Sequence, residues 1–162
     1  MITSFDPNIR PSLIKNRKSY LDMFYKISET VDVLKMSDDD LEYITGSKEV
    51  EEILRKILGK ANRLTFVTLG KNGAVGYYKG QFVQVPAFNK IRVKETTGCG
   101  DSFMAAIIFR LLNSGDLATI SQLELIDILT FANAAAAITA TRYGASTSMP
   151  TLSEVKQFIS HY

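Results

Sequence analysis

The stretch that most constrains this chain is Lys94-Glu95-Thr96-Thr97-Gly98-Cys99-Gly100-Asp101-Ser102-Phe103. It sets two glycines within three residues directly ahead of the apolar run Met104 to Leu112. Glycine lets a backbone turn tightly and approach a ligand closely. The run behind it has helical character, and the first N–H groups of a helix lack partners inside it. Such an end attracts anions, phosphates above all. Asp101 sits where the turn meets the helix. Phosphoryl transfer needs charge stabilisation at the phosphate and an aligned acceptor hydroxyl. The amides of Gly98, Cys99 and Gly100 can supply the first, and Asp101 as a base can supply the second, worth roughly 10²–10⁴ in rate. The same spacing also fits Asp101 as a plain helix N-cap.

Other chemistries have little to work with. His161 is the only histidine and lies one residue from the end, so a Ser-His-Asp or Cys-His arrangement is disfavoured. Cys99 is the only cysteine, which excludes an internal disulfide and argues against Cys/His zinc sites. A thiol at a helix start can be an activated nucleophile, but Cys99 has neither a nearby base nor a resolving cysteine. A side chain filling a small pocket is the other reading. The net charge of +2 and scattered lysines give no case for nucleic-acid or membrane binding. The N-terminus lacks an apolar signal core, and no apolar run approaches a membrane span, so the expected compartment is the cytoplasm.

At 162 residues with 46% hydrophobic and 22% charged residues, one domain with a substantial core is expected. Ile2-Thr3-Ser4-Phe5 reads as a short buried strand, broken at Asp6-Pro7-Asn8-Ile9-Arg10-Pro11 by two prolines. That loop is either a solvated turn or, at the carboxyl end of a parallel strand, a ligand loop. Tyr20, Leu21, Phe24 and Ile27 have helical spacing, and Val31 to Met36 reads as a strand. Ser37 caps a helix beginning at Asp38-Asp39-Asp40; capping explains these acids as well as a metal-linked role does. Ser47 caps the next helix, with an apolar stripe of Val50, Ile53, Leu54, Ile57 and Leu58 that ends at Gly59.

Leu64 to Leu69 is the clearest buried strand. Gly70-Lys71-Asn72-Gly73 then turns into a hairpin, Ala74 to Tyr78 and Gln81 to Val85, around Lys79-Gly80. The helix after the opening motif runs to about Asn113, and another covers Leu123 to Arg142 and is ended by Gly144. The small side chains of Ala132 to Ala137, interrupted by Asn133, suit tight helix-to-sheet packing or a flat ligand. Thr151 and Glu154 have capping-box spacing for a terminal helix. The pattern predicts an α/β fold with a mostly parallel sheet between helices and a β-hairpin insertion. Three long strands and a hairpin are few for helices this apolar, so the chain reads as an incomplete sheet from a larger domain.

Five ordered segments resemble the PfkB, or ribokinase-like, carbohydrate kinases, in particular the fructokinase branch. Thr96-Thr97-Gly98-Cys99-Gly100-Asp101 is similar to their C-terminal Asp-Thr-Thr-Gly-Ala-Gly-Asp signature. Asp6 to Arg10 resembles an Asp-x-Asn-x-Arg segment, and Lys35 to Asp40 a Lys-x-Ser-x-x-Glu segment. Thr68-Leu69-Gly70 and the alanine-rich helix before Gly144-Ala145 match in order and spacing. The resemblance implies a three-layer αβα, Rossmann-like fold and ATP-dependent phosphorylation of a sugar hydroxyl in the cytoplasm. It implies Asp101 as the base and Gly98, Cys99 and Gly100 as the anion hole. Thr68, Gly70, Gly73, Thr97 and Asn133 would lie along the nucleotide, with Asn8 and Arg10 toward the phosphate or sugar. Asp40 would be linked indirectly to Mg²⁺. Glu95, Thr97, Thr139, Gly144 and Ser148 would surround a monovalent cation such as K⁺, although Glu95 stands where the family has aspartate. It further implies that all of residues 1–162 form the nucleotide-binding, catalytic half, without the N-terminal sugar-binding half and lid. A chain of that kind is expected to be inactive alone, to serve as a nucleotide-binding module, and to self-associate through an exposed sheet edge.

Overall fold

The computed structural model describes residues 1–55 and 63–162, so Ile57, Leu58 and Gly59 lie outside the described residues. Strands β1 (Ser4–Phe5), β2 (Val33–Ser37), β3 (Leu64–Thr68), β4 (Ala74–Tyr78) and β5 (Gln81–Val85) form one five-stranded sheet in that order. β1 pairs parallel with β2, and β2 parallel with β3. β3 to β4 and β4 to β5 are too closely connected for a crossover, so the sheet ends antiparallel and is mixed. The hairpin turns at Lys79 and Gly80, with φ of 46° and 84°. Positive φ at both central residues is the twist-matching geometry for a two-residue hairpin.

The chain forms two compact units. The first holds residues 1–69 and 75–82. Its helices are α1 (Arg17–Ser28), α2 (Asp38–Thr45) and the short α3 (Val50–Ile53). β2 and β3 are buried at four consecutive positions each, as strands covered on both faces must be. Leu34, Met36 and Val67 pack with Phe24 of α1 and with Leu41 and Ile44 of α2. Two local expectations change here. β1 is only two residues long, with Ser4 exposed, because the edge position leaves one side of it uncovered. Ser47 accepts the Glu49 N–H at 3.1 Å, and Glu49, without a side-chain cap, is the N-cap of α3.

The second unit holds residues 70–74 and 83–162, with α4 (Cys99–Asn113), α5 (Gln122–Ala140) and α6 (Leu152–His161). Phe103, Ile107 and Leu111 recur every four residues along α4 and are buried. α5 packs chiefly along α4 and also against α6. The Arg110–Asp127 ion pair and a stack of Phe109 on Phe131, 5.9 Å between ring centres, join α4 to α5. α5 ends at Ala140, four residues before the loop glycine expected to stop it. Contrary to the sequence expectation, its 19 residues are long and apolar enough to cross a membrane, but 67% of that stretch is buried in the fold. Its apolarity is spent on protein packing.

α5 and α6 each begin with a capping box, Ser121 with Glu124 and Thr151 with Glu154. Glu154 also pairs with Arg142. Arg142, followed by the Thr151 N–H and hydroxyl, holds the Glu154 carboxyl down to about 2 from its ordinary 4.5. A depressed carboxyl adds stability that is fully present above its ordinary value and lost as pH falls toward the folded one. Amide exchange in α6 is therefore expected to quicken as pH drops from about 4.5 toward 2, after correction for intrinsic exchange. Glu154→Gln should flatten that profile; an unchanged profile would remove this role from the pair.

Candidate functional site

In the second unit, the segment from Lys94 to Gly98 enters α4. The N–H groups of Lys94 and Glu95 both reach the Ala140 carbonyl, at 2.8 and 3.3 Å, tying this segment to the last residue of α5. Upstream, Phe88 packs edge-on against Phe158 and Tyr162, and the Lys90 N–H donates to the Tyr162 hydroxyl at 2.6 Å. Gly98 is the N-cap of α4, at φ 82°. A Cβ there would sit 3.1 Å from Cα and 3.2 Å from the carbonyl oxygen of Ala145, so glycine is needed for both conformation and space.

The helix therefore starts at Cys99, and Asp101 lies inside its first turn rather than at the cap. This resolves the N-cap alternative: the cap residue has no side chain. Asp101 is exposed, and its carboxylate has no hydrogen-bond or ion-pair partner among the described residues. The Cys99 N–H closes the turn onto the Thr96 carbonyl at 3.2 Å, and the first helical bond runs from Ser102 N–H to Gly98 at 2.8 Å. Among the described residues, the N–H groups of Gly98, Gly100 and Asp101 have no acceptor. The Asp101 amide is thus left open at the helix start, while that of Cys99 bonds back to the Thr96 carbonyl. Counting helix positions from Gly98 would have found it. Burial, and then the charge of Glu95, pushes the Cys99 thiol up, away from a reactive thiolate.

Glu95 accepts the Gly144 N–H at 3.0 Å. That bond, and then the Thr97 hydroxyl, holds its carboxyl below the ordinary value. Thr139 is buried and donates to the Ala135 carbonyl at 3.0 Å; Ser148 is buried and donates to the Ala145 carbonyl at 2.6 Å. Gly144, at φ 93°, begins the loop that carries Ala145 to Gly98. Asn133 is buried, and its Nδ2 donates to the carbonyls of Val85 and Pro86, both at 3.2 Å. Gly70 has φ 54° and open space where a Cβ would be. Gly73 has φ 93°, and a Cβ there would fall 2.0 Å from the Val85 oxygen.

In the first unit, Asp40 completes the Ser37 capping box. Its Oδ2 accepts from the Ser37 N–H and hydroxyl at 2.9 and 2.7 Å, and its Oδ1 accepts the Ile9 N–H at 2.8 Å. Both oxygens of this buried carboxylate are engaged, so it fixes the loop from Asp6 to Arg10. Asp6 anchors the loop's other end through Lys35, Nζ to Oδ2 at 2.8 Å, and through the Asn8 N–H at 3.3 Å. Asn8 adopts φ 40°, which asparagine tolerates better than most residues. The exposed Arg10 folds its guanidinium onto the Ile9 carbonyl at 3.1 Å. Sequence reasoning missed the Lys35–Asp6 pair, although a lysine inside a buried strand is itself a signal for a partner. Thr68, at the end of β3, reaches the Met36 carbonyl at 3.4 Å.

Comparison with known proteins adds the wider context. The family model for pfkB family carbohydrate kinases matches residues 2–152. Fructokinase-1 of Zea mays is 35% identical over 159 residues, covering 98% of this chain and 49% of its own length. The fructokinase from Xylella fastidiosa with bound ATP superposes with a TM-score of 0.86 at 28% identity, over 99% of this chain and 52% of that one. A double mutant of the Vibrio cholerae O395 fructokinase, bound to fructose, ADP and potassium ion, gives 0.85 at 28% identity, over 98% and 50%. The chain thus spans about half the length of these relatives. The fold is ribokinase-like, and with the family match running through the sheet, the glycine turn and α5, this chain belongs to the pfkB family of carbohydrate kinases.

Proposed function

We propose that this chain is the nucleotide-binding and catalytic part of a fructokinase-like kinase that moves a phosphate from ATP to a sugar hydroxyl. The observation that carries the reading is the start of α4, where three N–H groups without acceptors accompany one carboxylate without a partner. The amides of Gly98, Gly100 and Asp101 suit the charge that builds on a transferring phosphate. The Asp101 carboxylate is free to accept the sugar hydroxyl proton. Thr68, Gly70, Gly73 and Thr97 contribute to the nucleotide side. Asn133 shapes that side by holding the end of β5, since its Nδ2 is already committed. Asn8 and Arg10 serve the phosphate or sugar side. Asp40 acts on Mg²⁺ only indirectly, through the loop it holds, because its oxygens already accept three donors. When bound with the nucleotide, Mg²⁺ neutralises phosphate charge.

Calorimetry with Mg-ATP, paired with a fructose phosphorylation assay, tests this reading. Saturable Mg-ATP binding is expected, and its absence at millimolar nucleotide would overturn the proposal. A second reading is a nucleotide-binding module without turnover of its own. Sugar phosphate formed by this chain alone would exclude it.

A further inference from the structure

Between α5 and α6 the second unit carries a surface cleft of about 370 Å³. That volume lies within the range of small-molecule sites, roughly 300–1,000 Å³. Ile138 and Phe158 supply its apolar wall, and Arg142, Glu154, Gln157 and His161 its polar rim. None of these residues has a part in the nucleotide, sugar or ion assignments above. The hydrogen-bonding capacity left open in the cleft is mostly donor. Glu154 has both oxygens engaged, Oε1 by Arg142 and Oε2 by the Thr151 N–H and hydroxyl at 2.7 and 3.0 Å. Thr141, also at the cleft, gives its hydroxyl to the Ile138 carbonyl at 2.7 Å. Arg142 spends one side-chain N–H on Glu154 and one on the Ser148 carbonyl at 3.5 Å, so three of the five donors of its guanidinium stay open among the described residues. The Gln157 side chain has no partner among the described residues, and its amide adds two further donors. His161 Nδ1 lies 2.7 Å from the Gln157 carbonyl, which only accepts, so Nδ1 carries a proton and Nε2 is left for an outside partner.

We propose that this cleft binds a small organic carboxylate with an aromatic or branched apolar body. A planar guanidinium with spare donors matches a carboxylate, whose two oxygens take parallel N–H bonds. The Gln157 amide adds donors at the same rim. The apolar body is needed for two reasons. A bare anion would leave Ile138 and Phe158 facing water, and covering them supplies affinity. Glu154 also balances the charge of Arg142, so attraction between charges alone is weak, and a dianion such as phosphate meets the Glu154 carboxylate beside the cation. The Phe158 ring is held edge-on by Phe88, 5.1 Å between ring centres, so the wall is formed before a ligand arrives and little ordering opposes binding.

The test titrates the isotope-labelled 162-residue chain with benzoate and follows backbone amide chemical shifts. Neither nucleotide nor sugar is present, so the result stands apart from the function proposed above. Benzoate is expected to move the amides of Gln157, Phe158 and His161 saturably, with a Kd of about 1–5 mM. Acetate lacks the body, benzamide lacks the charge, and inorganic phosphate lacks the body and carries excess charge; each should bind about tenfold more weakly or less. Arg142→Lys keeps a cation beside Glu154 but loses the planar fork, and should weaken benzoate about fivefold while the remaining amide shifts stay in place. Gln157→Ala, at an exposed position, should weaken it about two- to threefold. Absence of saturable shifts at about 50 mM benzoate would overturn the proposal. So would acetate or phosphate binding as tightly as benzoate, which would reduce the cleft to a nonspecific anion contact. Benzoate affinity unchanged in Arg142→Lys would do the same, since the guanidinium fork would then have no part in recognition.

Discussion

Gly73→Ala is expected to destabilise the second unit by about 2–5 kcal/mol, combining a left-handed backbone penalty of about 1–2 with overpacking of about 1–3. The new methyl would meet three backbone atoms: the Val85 oxygen at 2.0 Å, the Ala87 nitrogen at 2.7 Å and the Pro86 carbonyl carbon at 2.7 Å. Backbone cannot rotate aside as a flexible side chain can, so β5 or the turn must shift. Either shift disturbs the two bonds from Asn133 to Val85 and Pro86. Chemical denaturation of this variant beside Gly70→Ala isolates the steric part. Gly70 also has positive φ but open space around a Cβ, so its variant should lose only about 1–2 kcal/mol. Equal losses at the two sites would show that conformation alone matters at Gly73.

Asp101→Asn is expected to lower sugar phosphorylation about 10²–10⁴-fold, equivalent to roughly 2.7–5.4 kcal/mol of barrier. The assay belongs in whichever form turns over fructose, the 162-residue chain or a longer polypeptide containing it. Asparagine is nearly isosteric and leaves the backbone N–H in place, so the donor set at the start of α4 survives. Mg-ATP affinity should hold or rise slightly, since one negative charge is removed from a site built for anions. A split of this kind, turnover lost with binding retained, separates a base from a structural helix residue. Loss of both together would point to misfolding, and full turnover would end the assignment of Asp101 as base.

Much of this architecture is legible in the sequence. β2 and β3 are largely apolar runs, interrupted by Lys35 and Thr65, and the Lys79-Gly80 turn sits at the tip of the hairpin that its flanking pattern demands. The glycine turn and α4 are equally plain, because two glycines ahead of an apolar run leave few alternatives. What could not be read concerns bonds between distant segments. Nothing local in Asp38-Asp39-Asp40 says that the third acid reaches back to Ile9 as well as to Ser37. Nor does Asn133, polar in an alanine run, announce that its amide closes the end of β5. The Cys99 amide turned back to Thr96, and helix register then brought the Asp101 amide forward.

The strictly sequential strand order has a consequence for how the entropy of folding is distributed. β3, β4 and β5 follow one another through connections of five and two residues, whereas β1 to β2 and β2 to β3 each enclose a long helical segment. Loop closure grows by about 0.6 kcal/mol for each doubling of length, before any rigidity of the helices is counted. Bringing β1 and β2 into register is therefore dearer than closing the hairpin, and that ordering cost falls on β2, which carries Lys35 and Ser37, and on β1, whose end leads into Asp6. The loop that Asp40 and Asp6 hold is thus shaped by contacts between segments about thirty residues apart in sequence, the ones with the larger closure cost.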